Sequence, residues 1–250
     1  MTNPDFVLSA AEFDLLFAAL ELGRPPYPLQ VPSLGTTMRE RAERTEEAFR
    51  ELARRGLATD GELDPRLASA LRLLVDHDAA VDAVGHRDGP IRALAAVNHR
   101  SGVVAELVGE ELRLTEIRPT ALALSAVAVL PPSEPGQQRA ISVPADALEK
   151  ALAEDDDDPF GGDVEEDVAL VKAGLSPQEA AVVLDLAHTR RAGGQFGVSR
   201  GTRRATTLVT WFDTDQGRYL MVGKDAWLSI APADNKKIEH RLADVLAEAA

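Results

Sequence analysis

The chain runs to 250 residues without a cysteine, which excludes disulfides and thiolate metal sites, and its 45% hydrophobic and 27% charged residues suit a globular core. A net charge of −14 argues against phosphate-backbone binding, which rests on cationic contacts. That acidity is uneven: residues 1–130, 131–170 and 171–250 carry −6, −10 and +2, and the middle stretch holds the self-repelling run Asp155–Asp158.

In chain order, the opening Met-Thr-Asn-Pro-Asp-Phe lacks the basic and long apolar regions of a signal peptide, so a cytoplasmic address is expected. Ser9-Ala-Ala-Glu12 is a capping box, and Phe13, Leu16, Phe17 and Leu20 then recur at helical spacing. Gly23 and the proline-rich Arg24–Pro32 segment end that helix. A second helix is predicted from Thr37, burying Met38, Ala42, Phe49 and Leu52 and closing at Arg55-Gly56. Asp64-Pro65 opens a third, with proline at its first position. Three strand-like runs follow, Ile91–Val97, Val103–Val108 and Leu112–Ile117, separated by turns at Gly102 and Gly109. Pro119 then opens a helix. Its apolar run, Ala121–Pro132, is too short to span a bilayer.

Next come a Pro/Gly/Gln-rich connector, a short strand at Ile141–Pro144, a small helix at Ala145–Ala153 and the acidic loop Glu154–Asp163. The first pattern then returns. Ser176-Pro177 with Glu179 opens a helix, and the runs Thr206–Phe212, Arg218–Val222 and Ala226–Ile230 are parted by Gly217 and Gly223. Pro232 opens the last helix, whose apolar stripe is Ile238, Leu242, Val245 and Leu246. Pro65 to Pro177, Gly102 to Gly217, Gly109 to Gly223 and Pro119 to Pro232 are offset by 112, 115, 114 and 113 residues. The expected fold is therefore α+β: a central antiparallel sheet with flanking helices, built from two quasi-equivalent halves. One domain spans 1–250, with an N-terminal half 1–130, an acidic linker 131–170 carrying a short strand and helix, and a C-terminal half 171–250.

For chemistry, Gly197-Val-Ser199-Arg-Gly201 fits a Gly-x-Ser-x-Gly elbow, and Asp213, Asp215, Asp225 and His240 follow in Ser–Asp–His order. A serine hydrolase using Ser199, Asp213 or Asp215, and His240 is thus the alternative function. The elbow needs a strand before the serine and a helix after it. Here a glycine-rich loop is predicted before Ser199 and a strand after it, so Ser199 reads as a loop residue. Asp76-His77-Asp78, placed on a helix, would point in different directions. His86, His99, His188 and His240 lack paired ligand spacing, and Asp155–Asp158 lacks the alternating ligands of a calcium loop. Neither a phosphate loop nor a dinucleotide fingerprint occurs. Arg190, Arg191, Arg200, Arg203 and Arg204 read as an exposed basic edge, and alternation sets Trp211 and Phe212 on opposite sheet faces. No catalytic residue, cofactor or metal site is expected. The chain reads as a binding protein.

Glu12-Phe13-Asp-Leu-Leu, Pro26-Tyr27-Pro28-Leu29 and Pro32-Ser-x-Gly35-x-Thr37 resemble the opening of EspG proteins, the cytosolic chaperones of the ESX (type VII) secretion systems of actinobacteria. The likeness continues through Arg55-Gly56-Leu57, Leu63-Asp64-Pro65, Ile117-Arg118-Pro119, Ser142-Val143-Pro144, Gly217-Arg-Tyr219 and Trp227–Pro232. A usage of 22 Arg against 5 Lys suits the high-GC genome of such an organism. The resemblance implies a non-enzymatic, substrate-specific chaperone that keeps a secreted helical client soluble and directs it to export. That client is a PE–PPE heterodimer or a WXG-type pair; nucleic acid and membrane insertion play no part, and self-association stays open. It further implies that the client is met by the sheet, its loops and the C-terminal helical part, corresponding to about Arg203–Val222 and Pro232–Ala247.

Overall fold

The computed structural model describes residues 3–146, 168 and 170–249. An 11-stranded sheet, antiparallel between neighbours, forms the middle layer. Its centre is a seam between β4 (Ala79–His86) and β9 (Arg190–Arg200), which pair from Ala79↔Arg200 to His86↔Gly193. On one side of the seam lie β5 (Pro90–Val97), β6 (Gly102–Val108), β7 (Glu111–Ile117) and finally β1 (Phe6–Ser9). On the other lie β11 (Val209–Thr214), β12 (Gly217–Lys224), β13 (Trp227–Pro232) and finally β8 (Ile141–Pro144). The two-residue β10 (Arg203–Arg204) folds back on the end of β9, and β2 (Ala58–Thr59) pairs with β3 (Glu62–Leu63) in a separate hairpin.

Helices cover the two faces differently. On one face, α4 (Leu122–Val127) and α6 (Asn235–Glu248) sit against each other over the seam. The core beneath them includes Val81, Ala83, Ala95, Phe196, Val198, Trp211 and Leu220. The opposite face carries two separate cores. Toward β1, α1 (Ala10–Ala19), α2 (Met38–Arg54) and α3 (Pro65–Leu73) bury Phe13, Phe17, Leu52, Leu67 and Leu71 against β5–β7 and β1. Toward β8, α5 (Pro177–His188) packs Ala180 and Leu186 near Phe212, Tyr219 and Val143. Trp211 and Phe212 are thus both buried, on opposite faces as alternation requires.

The predicted caps form. Ser9 with Glu12, and Ser176 with Glu179, make reciprocal capping boxes, and Asp64 accepts from the Arg66 and Leu67 amides. The sequence reading of α2 needs correction: Met38 is 86% exposed and Ala42 is exposed, while Ala48 and Leu52 are buried and Phe49 is partly so. Only the C-terminal part of α2 reaches the core, so its first turns remain a charged surface. Asp76-His77-Asp78 lies in the turn after α3, not on the helix. Pro232 ends β13, and α6 begins instead from the Asp234 cap, which accepts from the Lys237 amide at 2.8 Å. Most of the predicted helix Ala145–Ala153, and the loop Glu154–Asp163, lie outside the described residues.

Candidate functional site

The Gly-x-Ser-x-Gly stretch is part of the central strand and the turn after it, not a catalytic elbow. The predicted glycine-rich loop before Ser199 is β9 itself, and Ser199 pairs with Ala80 on β4 and Arg204 on β10. A β-carbon on Gly197 would lie 2.0 Å from Arg204 Nη2 and 2.8 Å from Asp82 Oδ2, so hydrogen is the side chain that fits. Gly201 takes φ +51° in the turn between β9 and β10, a backbone that glycine adopts without steric cost. The other proposed partners point elsewhere. Asp213 is engaged by two arginines, His240 is exposed on α6, and among the described residues no hydrogen bond joins Ser199 to an aspartate or histidine. Nor is there, among the described residues, a group of three or more His, Asp or Glu placed to hold a metal ion.

The five arginines read as one basic edge are instead divided between the two ends of β9. Arg190 lies against Gly193, and Arg191 stands 4.0 Å from Asp215. At the far end, Arg200 Nε donates to Leu246 O at 3.0 Å near the C-terminus of α6, and Arg204 pairs with Asp82. Such a division leaves no continuous cationic strip.

Two ion-pair centres organise the region past the seam. In the first, fully buried Arg218 donates from Nε and Nη2 to the two carboxylate oxygens of Asp213 at 2.6 and 2.9 Å. Arg87 adds a bond to Asp213 at 2.8 Å, and the Arg218 guanidinium lies 5.2 Å from the Trp211 ring centroid. Arg218 also donates to Pro131 O at 3.1 Å and to Asn235 Oδ1, tying β12 to the connector and to the start of α6. Removing one member of such a buried pair leaves an uncompensated charge and costs roughly 3–5 kcal/mol. In the second centre, Asp82 on β4 is 4% exposed and accepts both Nη atoms of Arg204 at 2.6 and 3.0 Å. Hydrogen bonding to Asp82 raises the Arg204 guanidinium above its ordinary value.

Beside α6 opens a groove of about 810 Å³. Its walls are the segment Thr206–Leu208 leading into β11, Met221 and Val222 of β12, Leu228 and Ser229 of β13, and Arg241 and Glu248 of α6. A recess of about 210 Å³ adjoins it, lined by Arg203–Thr207 and the end of α6. Around the same end of the sheet, Leu208 is 38% and Trp227 54% exposed. The rim charges are paired within α6: Arg241 lies 3.5 Å from Glu248 and 4.0 Å from Asp244. This surface is open and mixed: Leu208, Met221, Val222 and Leu228 lie among Thr206, Thr207, Thr210, Asp225, Ser229, Arg241 and Glu248. Sequence periodicity could not locate it, because Leu208 and Trp227 fall where a strand begins and alternation alone does not say which face is covered.

The model of the EspG family matches residues 9–244. No curated protein matches the chain. Among solved structures, it is similar to that of the Mycobacterium tuberculosis type VII secretion system chaperone EspG5 in complex with a PE25–PPE41 dimer. The TM-score is 0.73 at 16% identity, over 96% of this chain and 95% of that chain.

Proposed function

The chain belongs to the EspG family, and from that membership we propose that it is a cytoplasmic, non-enzymatic, substrate-specific chaperone of a type VII (ESX) secretion system. In this reading it holds a helical pair, PE–PPE or WXG-type, in soluble form until export, and uses no cofactor or metal. The observation that carries the proposal is the open groove, to which the stretch Arg203–Val222 contributes Thr206–Leu208, Thr210, Met221 and Val222, and the stretch 232–247 contributes Arg241. A chaperone of this kind must cover an apolar patch that its client would otherwise expose to water. Trp227, exposed and next in sequence to the lining residue Leu228, is the type of residue that anchors such contacts. The shared fold with EspG5, solved with a PE25–PPE41 dimer, supports a helical pair as the client class. The strand order outward from the seam supports the quasi-equivalence of 1–130 and 171–250, joined by 131–170 into one domain. No helix among the described residues is long and apolar enough to cross a membrane.

The test is co-expression with each PE–PPE or WXG-type pair encoded beside the gene, followed by size-exclusion chromatography. A soluble complex containing the chaperone and both client chains is expected. Failure of every such pair, with a folded preparation of this protein, overturns the proposal.

A further inference from the structure

We propose that the Asp82–Arg204 ion pair is a strap that positions Thr206–Leu208 as one wall of the groove, making both residues positioning residues for client binding. The coupling to binding rests on the function proposed above; the strap itself does not.

The chain leaves β9 at Gly201 and returns as β10, pairing Arg203 with Arg200 and Arg204 with Ser199. The Ala205 amide donates to Val198 O at 2.9 Å. Among the described residues, Thr206, Thr207 and Leu208 then form no hydrogen bond until β11 rejoins the sheet at Val209. The wall of the groove is therefore held from its two ends only, and Arg204 stands at one of them.

Its partner sits deep in the sheet. Val81 and Ala83 point into the core under α4 and α6, so Asp82 faces the opposite side, between the two helical clusters found there. The Asp82 carboxylate has no partner among the described residues except Arg204, which takes both oxygens in a fork. Letting Arg204 swing away would leave a nearly buried carboxylate unpaired, so the charge fixes the position of β10 more than it adds stability. Gly197 completes the device. It lies opposite Asp82 in register, and any β-carbon there would occupy the path of the guanidinium. Asp82 thus fits Gly197 and Arg204, both far from it in sequence, in a way that the sheet alone does not require.

The test uses Asp82→Asn, which keeps the shape of the side chain, and Arg204→Gln, which removes the charge from a half-exposed side chain. Hydrogen exchange at the Ala205 amide is compared with exchange at the seam amides of β4 and β9. The expected result is about tenfold faster exchange at Ala205 with the seam unchanged. No change at Ala205, or equal acceleration at Ala205 and the seam, overturns the strap. The second measurement is the affinity for whichever neighbouring PE–PPE or WXG-type pair co-purifies with the unaltered protein. About tenfold weaker binding by both variants is expected, with partial recovery in Arg204→Lys, which keeps the charge but loses the fork. Undiminished affinity alongside faster Ala205 exchange overturns the positioning role. If no pair binds the unaltered protein, the proposed function fails, and the exchange measurement still decides the strap.

Discussion

The two flanks of the sheet follow the same strand order outward from the seam, yet they are finished differently. Toward β1, three helices close over the sheet, and Phe13 and Phe17 pack edge to face with ring centroids 4.7 Å apart. Toward β8, α5 covers one face, a groove lies open beside α6, and Trp227 is exposed at the start of β13. A shared frame therefore does not imply a shared surface. The closed flank is a packed core, and the open one is the surface proposed above for recognition.

The sharpest way to break this contrast is to truncate a large side chain in each flank. Phe13→Ala should lose about 3–5 kcal/mol in urea unfolding, because Phe13 is fully buried and its cavity can close only in part. A loss below about 1 kcal/mol would mean that the β1 flank is not the closed core described. A smaller effect is expected at the caps. Ser176→Ala removes the side chain that accepts from the Glu179 amide and should lower Tm by about 2–4 °C. Hydrogen bonds from the Ser176 hydroxyl and amide hold the Glu179 carboxyl below its ordinary value. The stabilisation from that carboxylate is present above the unfolded value and is lost as pH falls through the folded one. The gap between Ser176→Ala and the unaltered protein should accordingly narrow below about pH 4.5; a gap that widens on acidification would contradict the assignment.

The smallest effect on stability belongs to Trp227→Ala, expected within about 0.5 kcal/mol of the unaltered protein in the same urea titration. Its client affinity should nonetheless fall by at least about tenfold, as for a hot-spot aromatic. If Trp227→Ala instead destabilises the fold as strongly as Phe13→Ala, the open flank is a core, and the contrast collapses.

How much of this was legible depended on what each residue type signals locally. Capping boxes are written within four residues, so Ser9–Glu12 and Ser176–Glu179 could be found directly. β-Branched runs between glycine turns likewise announced β5, β6, β7 and β12. The two seam strands were missed because their composition answers to neighbours far away in sequence. β9 carries Gly193, Gly194 and Gly197, which reads as a loop. In the fold, a β-carbon on Gly194 would fall 2.3 Å from Val84 O, and one on Gly197 would strike Arg204. β4 carries Asp82 in its middle, a charge that looks wrong for a central strand until Arg204 is seen to meet it. The same pair accounts for the catalytic look of Gly197–Gly201, whose glycines answer to a guanidinium and a turn. The groove was invisible for a different reason: a surface is defined by what fails to cover it, which no local pattern records.

The two outermost strands have a consequence for the protein's own solubility. An open sheet invites addition of further strands at its ends, the route by which β-rich proteins self-template into fibrils. Here the ends among the described residues are β1 and β8, each only four residues long. β1 runs directly into the first turn of α1, and β8 stops at Pro144, which has no amide hydrogen to offer. Neither end presents a register long enough to seed a copy of itself. A sheet finished this way is guarded against becoming the nucleus of an aggregate.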